Sequence, residues 1–379
     1  MTGAQKTVVL AAGGSGGHIY PARALAETLI ARGHKVVLVT DRRGAAFDDA
    51  LPQVQVFRVQ AGAPSGRGFW GKLDGVGRIL RGLGQARRIL RELRPAVVVG
   101  FGGYASVPTI MAATRQGLAT VLHEQNAVLG RANRMLAPRV GKIATAFPSI
   151  RGVSDQNSGK LSRTGNPIRA EIAALAETPY NPPESAEKLH LLVFGGSQGS
   201  RALSLLVPAA VALLDAGHRG RLAVAQQCRP EDLDEVRAAY AASGVQAEVA
   251  TYFNDMADRL RGAHLAITRA GASTIAELSA AGRPAILVPY PYATDDHQRA
   301  NAEQLAAAGG AWTMIEAETT AEDLAAALRR LMDDTAALAE AAERARGFGI
   351  VDGAARLADL VEACAGINRA ADAALAVAS

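Results

Sequence analysis

The sequence predicts an α/β protein built from two doubly wound, Rossmann-like domains. Its 379 residues exceed the roughly 100 to 150 residues at which compact domains cluster. Residues 7–40 have the pattern of a parallel βαβ unit: an apolar strand, a glycine turn, an apolar-periodic helix, a stop at Gly33 and a second strand. Residues 190–225 repeat this opening, which predicts two similar domains rather than a short-period solenoid.

The two repeats share the arrangement of their turn residues, which is Gly13, Gly14, Ser15 and Gly17 in the first and Gly195, Gly196, Ser197 and Gly199 in the second. The helix after each turn is expected to end in a Gly-His pair, Gly33-His34 and Gly217-His218. Ligands of doubly wound sheets bind beyond the carboxyl ends of the strands. We therefore expect an active site in a cleft between two facing domains.

The domain boundary is predicted where the hydrophobic pattern of strands and helices stops. TGNPIR (164–169) and the proline-bearing ETPYNPPESAEK (177–188) separate the two patterned regions. The sequence thus predicts a first domain over residues 1–165 and a second over 166–349. A helix at about 350–366 is expected to pack back on the first domain, and 367–379 form a tail without assigned function.

Composition excludes several classes of protein. With 49% hydrophobic and 20% charged residues, the chain is expected to be globular. Cys228 and Cys364 form no CxxC or Cys/His cluster, so neither a disulfide framework nor a zinc site is indicated, and a reducing, cytoplasmic setting is expected. The residues up to Thr7 do not have the pattern of a secretory signal, so the protein is expected to stay inside the cell. Glycines and Pro108 interrupt the longest uncharged run, so no membrane span is expected.

The excess positive charge is concentrated in one stretch. The net charge is +5, and residues 67–94 hold eight Lys or Arg against Asp74 and Glu92, interleaved with apolar residues. A helix lying on anionic lipid shows both features. The alternative is an ordinary helix that packs its apolar stripe on the domain and solvates its arginines. Nucleic acid is not expected as a partner, because no known binding module is present.

The first glycine turn, GGSGGH (13–18), can bind phosphate through main-chain N–H groups at a helix N-terminus. It fails the dinucleotide pattern GxGxxG at Ile19 and lacks the Gly-Lys-Ser/Thr of a P-loop. An oxidoreductase stays open as an alternative, since Asp41 follows the second strand and could bind ribose. His18 is expected in the first helical turn, either exchanging a proton with a ligand or only hydrogen-bonding the turn.

Residues 264–277, HLAITRAGASTIAE, predict a strand, a glycine turn and a helix start. Thr274 and Glu277 have capping-box spacing, so Glu277 either caps the helix or accepts hydrogen bonds from ribose hydroxyls. HEQNAVLGRANR (123–134) follows an apolar strand and places many polar side chains at its carboxyl end. Such a density of polar groups indicates a ligand.

Seven ordered motifs together resemble the bacterial MurG family, the peptidoglycan N-acetylglucosaminyltransferases. They are GGSGGH (13–18), GGY (102–104), HEQNAVLGRANR (123–134), TGNPIR (164–169), GGSQG (195–199), TRAGASTIAEL (268–278) and DDHQRANA (295–302). The resemblance implies the GT-B glycosyltransferase fold and transfer of GlcNAc from UDP-GlcNAc to the 4-hydroxyl of MurNAc in undecaprenyl-diphospho-MurNAc-pentapeptide, lipid I. The products are lipid II and UDP.

The resemblance also implies roles for individual residues. Donor contacts are implied for Ser15, Gly16, Gly17, Asn126, Arg169, Ser197, Phe253, Ala272, Ser273, Thr274, Ile275, Ala276, Glu277 and Gln298. Acceptor contacts are implied for Gly14, Gly103 and Tyr104. Inversion from an α-linked donor to a β-linked product requires a base, for which His18 is the first choice and Glu124 the second.

In this reading Phe253 offers its main chain to the uracil, Glu277 accepts from the ribose, and Gln298 binds the donor sugar. Arg169 and the Ser197 turn stabilise the departing diphosphate, so no metal or other cofactor is required. One departure from the family pattern follows the strand 222–225, where the chain reads Gln226, Gln227, Cys228 and Arg229.

The lipid substrate implies a peripheral enzyme on the cytoplasmic face of the inner membrane, with the basic stretch toward anionic lipid and with cell-wall synthesis and division proteins as partners. Two rivals stay open: a UDP-GlcNAc 2-epimerase, which needs no acceptor, and a nucleotide-sugar-binding scaffold without catalysis.

Overall fold

A computed structural model describes residues 5–13, 16–41, 53–62, 68–184, 187–196 and 199–367, with residues 16 and 68–76 described by their backbone alone. The chain divides into two compact units. The N-terminal unit comprises Met1–Ile168 and Asp352–Ser379, and the C-terminal unit comprises Arg169–Val351.

The N-terminal unit is built on a seven-stranded parallel sheet. Its strands are β1 (Thr7–Ala11), β2 (Lys35–Thr40), β3 (Gln55–Arg58), β4 (Val97–Gly100), β5 (Ala119–Glu124), β6 (Lys142–Thr145) and β7 (Leu161–Arg163), in the order β3-β2-β1-β4-β5-β6-β7. Because helices cover both faces, the central strands are continuous apolar runs, and all four residues of β4 are buried.

Helices of the N-terminal unit connect successive strands or pack on the sheet. They are α1 (Gly16–Ala31), α2 (Gly68–Leu93), α3 (Gly103–Arg115), α4 (Arg131–Leu136) and α5 (Asp155–Ser158), with a 3₁₀ turn at Ala137–Arg139. Ile79, Leu83 and Leu90 of α2 pack in the core that α3 shares with the sheet. Most of the described apolar stripe of α2 is therefore covered by protein, whereas Leu80 is 62% exposed. The arginines of α2, including Arg78, Arg81, Arg87 and Arg88, are also exposed.

The last described helix of the chain, α15 (Gly353–Cys364), packs against α1 within the N-terminal unit. Leu357, Ala358 and Val361 are fully buried in the core shared with α1. At its end the Glu362 carboxylate, 2% exposed, lies 2.9 Å from Arg32 Nη1 and 3.0 Å from His34 Nε2. This buried ion pair fixes the helix to the end of α1. Of the predicted tail, residues 368–379 lie outside the described residues.

The C-terminal unit has a six-stranded parallel sheet of order β10-β9-β8-β11-β12-β13. Its strands are β8 (Leu189–Phe194), β9 (Leu222–Gln227), β10 (Gln246–Ala250), β11 (Leu265–Thr268), β12 (Ala285–Leu287) and β13 (Ala311–Thr313). The strand order reverses between β8 and β11, which is the switch point where doubly wound sheets bind ligands.

Helices of the C-terminal unit are α6 (Ala170–Ala173), α7 (Arg201–Ala212), α8 (Ala216–Gly220), α9 (Leu233–Ser243), α10 (Met256–Gly262), α11 (Ala272–Ala281), α12 (His297–Ala307), α13 (Ala321–Asp333) and α14 (Thr335–Phe348). The 3₁₀ turns are Ala174–Glu177, Pro230–Asp232, Thr294–Asp296 and Glu316–Glu318. The expectation that the helix after the second turn ends at Gly217-His218 is wrong. That pair lies in the separate helix α8, because Asp215 accepts a hydrogen bond from the His218 N–H and starts a new turn.

No helix among the described residues combines the length and the apolarity that crossing a membrane would require.

Candidate active site

Helix α1 begins at Gly16, shortly after β1 ends at Ala11, so His18 lies in the first turn of that helix. Gly16 and Gly17 also belong to α1, whereas Gly14 and Ser15 lie outside the described residues. The His18 side chain is half-buried. An imidazole at this place retains an accessible edge, as an acid-base group needs.

A second glycine turn, Gly102-Gly103 after β4, forms the surface against which His18 packs. Both glycines have left-handed backbones, with φ of 85° and 70°. A Cβ added at Gly102 would lie 3.3 Å from His18 Nε2, and one added at Gly103 would lie 3.4 Å from His18 Cε1. The turn thus needs glycine for its backbone and for the imidazole beside it. Tyr104 follows in α3 and packs partly into the core.

Glu124 organises the polar loop after β5. Its carboxylate, 2% exposed, accepts hydrogen bonds from the N–H of Asn126 at 3.0 Å, the N–H of Gly130 at 2.8 Å and Nδ2 of Asn133 at 2.8 Å. Burial raises the pKa of Glu124, while these donors oppose the rise. The structure therefore gives Glu124 a clear part in holding the loop that carries Asn126. Its role as the alternative base stays a prediction.

His123 is a buried group that the sequence analysis named only as part of the loop motif 123–134. It is 0% exposed, its Nε2 lies 3.2 Å from the Gly165 oxygen, and its Nδ1 lies 3.0 Å from Gln125 Nε2. Burial, with a smaller contribution from nearby His18, lowers the pKa of His123 to about 4. His123 is therefore neutral at physiological pH and braces the loop against β4, since Gln125 also donates to the Phe101 oxygen.

In the C-terminal unit, the glycine turn after β8 closes tightly on the start of α7. A Cβ added at Gly195 would lie 2.5 Å from the Ser200 nitrogen. The Ser200 hydroxyl accepts from the Leu203 N–H and caps the helix. Ser197, the predicted diphosphate contact, lies outside the described residues.

Glu277 and Arg169, which are 108 positions apart in the sequence, are brought together in the C-terminal unit. Arg169 Nε lies 3.2 Å from Glu277 Oε1, and Arg169 Nη2 lies 3.3 Å from Glu277 Oε2. Burial raises the pKa of Glu277, and the Arg169 charge opposes the rise. The capping-box explanation of Glu277 is wrong, because α11 is capped at Gly271 and has no side-chain cap. The carboxylate instead faces a guanidinium.

Gln298, in the first turn of α12, joins the ends of two neighbouring strands. Its Oε1 accepts from the Ala270 N–H at 3.1 Å and from the Tyr290 N–H at 3.0 Å. Asn301 Nδ2 donates to the Ala270 oxygen at 3.1 Å. Because the Gln298 oxygen is occupied by main-chain donors, its amide nitrogen is the end that can face a ligand.

The described ranges contain no group of three or more His, Cys, Asp or Glu side chains arranged to bind a metal ion.

Comparison with known proteins identifies the family. The glycosyltransferase family 28 N-terminal domain matches residues 8–145, and the family 28 C-terminal domain matches residues 190–357. The UDP-N-acetylglucosamine--N-acetylmuramyl-(pentapeptide) pyrophosphoryl-undecaprenol N-acetylglucosamine transferase of Rhodospirillum centenum is 53% identical over 95% of this chain and 95% of its own. The protein of that name from Rhodospirillum rubrum is 51% identical over 94% and 92%.

This chain belongs to the MurG family. A crystal structure of Acinetobacter baumannii MurG is 30% identical and covers 94% of this chain and 99% of its own, with a TM-score of 0.79. The predicted family and the GT-B fold class are confirmed. A UDP-N-acetylglucosamine 2-epimerase structure from Listeria monocytogenes, 15% identical with a TM-score of 0.65, shares the fold alone.

The departure from the MurG-family pattern, Gln226 to Arg229, is occupied by internal contacts. Gln226 Oε1 accepts from the Tyr240 hydroxyl at 2.5 Å, and Gln227 Nε2 donates to the Thr251 oxygen at 3.3 Å. Arg229 pairs with buried Asp232 at 3.0 Å. These side chains therefore hold the end of β9 and its neighbouring turn.

Phe253, the predicted uracil contact, follows β10 in the turn that leads to α10. Its ring is buried, with the Arg259 guanidinium 3.7 Å from the ring centroid. The ring is thus packed within the protein, and the uracil contact that the family resemblance implies would come from the main chain of Phe253. The individual site residues inferred from the MurG family, and the cleft expected between its two domains, stay predictions.

Proposed function

We propose that this protein is an inverting glycosyltransferase of peptidoglycan synthesis. It moves GlcNAc from UDP-GlcNAc to the 4-hydroxyl of MurNAc in undecaprenyl-diphospho-MurNAc-pentapeptide, lipid I, and yields lipid II and UDP. The observation that carries this proposal is a sequence identity of 53% and 51%, over nearly the whole chain, to transferases whose names specify this reaction. The site geometry within each unit supports it.

The C-terminal unit supplies the donor site. The Glu277 carboxylate accepts hydrogen bonds from the ribose hydroxyls, and Arg169 at 3.2 Å from it faces the diphosphate. The N-terminus of α11 adds the positive end of the helix dipole, which favours a bound phosphate. Gly271, the N-cap residue, has no side chain that would compete for the main-chain N–H groups there. Ala272, Ser273, Thr274, Ile275 and Ala276 lie along the start of this helix. As the bond to the sugar breaks, Arg169 and the Ser197 turn stabilise the charge growing on UDP.

The main chain of Phe253 reads the uracil, and Gln298 directs its amide nitrogen to the donor sugar. The oxygen of Gln298 is fixed by two main-chain N–H groups, which orients the amide. Nucleotide and sugar are thus recognised by different elements of the unit.

The N-terminal unit supplies the base and the acceptor contacts. His18 takes the proton from the acceptor hydroxyl while that oxygen attacks the anomeric carbon and UDP departs. Gly14, Gly103 and Tyr104 contact the acceptor, and Ser15, Gly16, Gly17 and Asn126 contact the donor sugar and phosphates. The Gly102-Gly103 turn supports this assignment, since it holds the His18 imidazole without a side chain in the way.

The lipid substrate brings the protein to the cytoplasmic face of the inner membrane as a peripheral protein. The exposed arginines of α2 supply the attraction to anionic lipid, worth roughly 1 kcal/mol each near the surface. Contacts with cell-wall synthesis and division proteins stay predictions.

A transfer assay tests the proposal. Purified protein is incubated with UDP-GlcNAc radiolabelled in the sugar and a short-chain lipid I analogue, and labelled lipid product and UDP are measured. We expect equimolar UDP and disaccharide lipid, formed only when the acceptor is present. Formation of UDP-ManNAc without acceptor would identify an epimerase instead. Tight UDP-GlcNAc binding without any product would identify a scaffold.

A further inference from the structure

Arg259, near the middle of α10, lies at the centre of a cluster of charged side chains beside the Phe253 ring. Its Nη1 and Nη2 lie 2.8 and 2.7 Å from the two Glu248 carboxylate oxygens, and its Nε lies 2.8 Å from Asp255 Oδ1. The same guanidinium covers the Phe253 ring at 3.7 Å. One side chain thus joins strand β10, helix α10 and the turn between them.

This cluster differs from an ordinary surface ion pair. The Arg259 side chain is only 16% exposed, and it pairs with two carboxylates while stacking on an aromatic ring. A planar guanidinium can do all of this at once, because its fork binds a carboxylate through two nitrogens and its face stacks on a ring. An ammonium group offers neither the fork nor the face.

The turn around Phe253 is held at its start by Gln227, whose Nε2 donates to the Thr251 oxygen. In the described part of the chain, no hydrogen bond to the Phe253 main chain is found, so its N–H and C=O can serve a ligand. Helix α10 itself is anchored independently, since buried Arg283 donates to the Leu260 and Arg261 oxygens at its carboxyl end. Loss of Arg259 would therefore loosen the turn while α10 keeps its place.

We infer that Arg259 is a positioning residue that sets the base selectivity of the nucleotide site. By clamping the Phe253 ring, it fixes the Phe253 main chain, whose N–H donor and C=O acceptor complement the edge of uracil. Uracil presents an N3–H donor and an O4 acceptor, whereas cytosine presents an N3 acceptor and an amino donor. A fixed main-chain pair that fits uracil therefore opposes cytosine at both positions, and a loosened pair does not. This inference rests on the proposed function, because it places the uracil of the donor at Phe253.

The test measures equilibrium binding of UDP and CDP by calorimetry, which needs no lipid acceptor. The variants are Arg259→Ala and Arg259→Lys. The matched control is Arg261→Ala, on the same helix, which removes a 51% exposed arginine whose ion pair among the described residues is with exposed Asp258. Thermal unfolding of each variant reports any global loss of stability.

We expect Arg259→Ala to lower the ratio of UDP to CDP affinity about tenfold, which corresponds to roughly 1.4 kcal/mol, the scale of one hydrogen bond. Arg259→Lys should lower the ratio nearly as much, although it keeps the positive charge. This variant also provides the test if Arg259→Ala does not fold. The Arg261→Ala control should leave the ratio unchanged.

The outcomes separate the two proposals. A wild-type protein that binds CDP as tightly as UDP would overturn the proposed nucleotide site itself. A wild-type preference for UDP that persists in both Arg259 variants would overturn only the role of Arg259. A uniform loss of affinity for UDP and CDP, with an unchanged ratio, would also overturn it, because that is the result of general destabilisation.

Discussion

Replacement of Glu277 by Gln tests the proposed donor site most directly. The change keeps the size of the side chain and one acceptor oxygen but removes the charge. A hydrogen bond to a charged group contributes about 1.5–3 kcal/mol. Since glutamine can still accept from one ribose hydroxyl, we expect a loss of about 2 kcal/mol, which is roughly a thirtyfold weaker affinity for UDP.

The effect of this replacement on folding should be smaller. The Arg169–Glu277 contacts of 3.2 and 3.3 Å are long, and the two side chains are 34% and 17% exposed, so solvent screens the pair. We expect a cost of about 1 kcal/mol in the free energy of unfolding, between the values for surface and buried pairs. The large effect is thus expected on ligand binding.

The assay compares UDP with 2′-deoxy-UDP by calorimetry. Wild-type protein should bind the deoxy ligand about tenfold more weakly, whereas the Glu277→Gln variant should distinguish the two ligands less than threefold. The matched control is Glu171→Gln, which removes a 61% exposed carboxylate at 3.4 Å from the same arginine and should change neither affinity appreciably. Equal loss of affinity for both ligands in Glu277→Gln would refute the ribose contact.

The pH dependence gives a second readout of the same group. Burial raises the pKa of Glu277, and only the ionised form accepts from both hydroxyls. UDP affinity of the wild type should therefore fall as pH is lowered toward the raised pKa, before ordinary glutamates protonate. The Glu277→Gln variant should lack this part of the pH dependence, and an identical profile in both proteins would contradict the assignment.

Three further predictions follow from other parts of the chain. His18→Ala should lower kcat about 10²- to 10⁴-fold while UDP affinity changes less than about twofold, and a loss of UDP affinity equal to that of Glu277→Gln would contradict a base role. Replacing four exposed arginines of α2 by Gln should reduce sedimentation with anionic vesicles at least tenfold in low salt, whereas four control replacements should not. The first set is Arg78, Arg81, Arg87 and Arg88, and the control set is Arg261, Arg299, Arg329 and Arg344. Glu362→Ala leaves Arg32 and His34 without their buried partner, so urea unfolding should show a free energy of unfolding lower by about 2–3 kcal/mol. The control is Asp359→Ala, which removes an exposed partner of Arg32. If Glu362→Ala lowers the free energy of unfolding no more than this control does, the prediction is contradicted.

Local patterns were sufficient to predict the fold. Parallel strands that are buried on both faces appear in the sequence as apolar runs, and a glycine turn before a helix marks each βαβ unit. The pattern of β1 and α1 can therefore be recognised within residues 7–40 alone. Where a local pattern had two explanations, the sequence could not choose. Glu277 had the spacing of a capping box, and only the position of Gly271 at the helix start excluded it.

The same limit applied to α2 and to the end of the second repeat. The sequence showed an apolar stripe beside arginines, but a stripe does not specify what covers it. The structure packs Ile79, Leu83 and Leu90 on α3 and the sheet and leaves Leu80 exposed. The Gly217-His218 pair resembled a helix end, yet the capping contact of Asp215 makes it part of a new helix.

By itself, the sequence determined the two doubly wound domains and the family, because these depend on hydrophobic periodicity and on motifs contiguous in the chain. Only the tertiary structure decided which side chains meet. Arg169 and Glu277 are 108 positions apart, and Arg32 and Glu362 are 330 apart. Arg259 and Phe253 are near in sequence, but their contact depends on the return of the chain from β10 into α10. Such pairs leave no local signature, since their energy arises from proximity and burial that only folding creates.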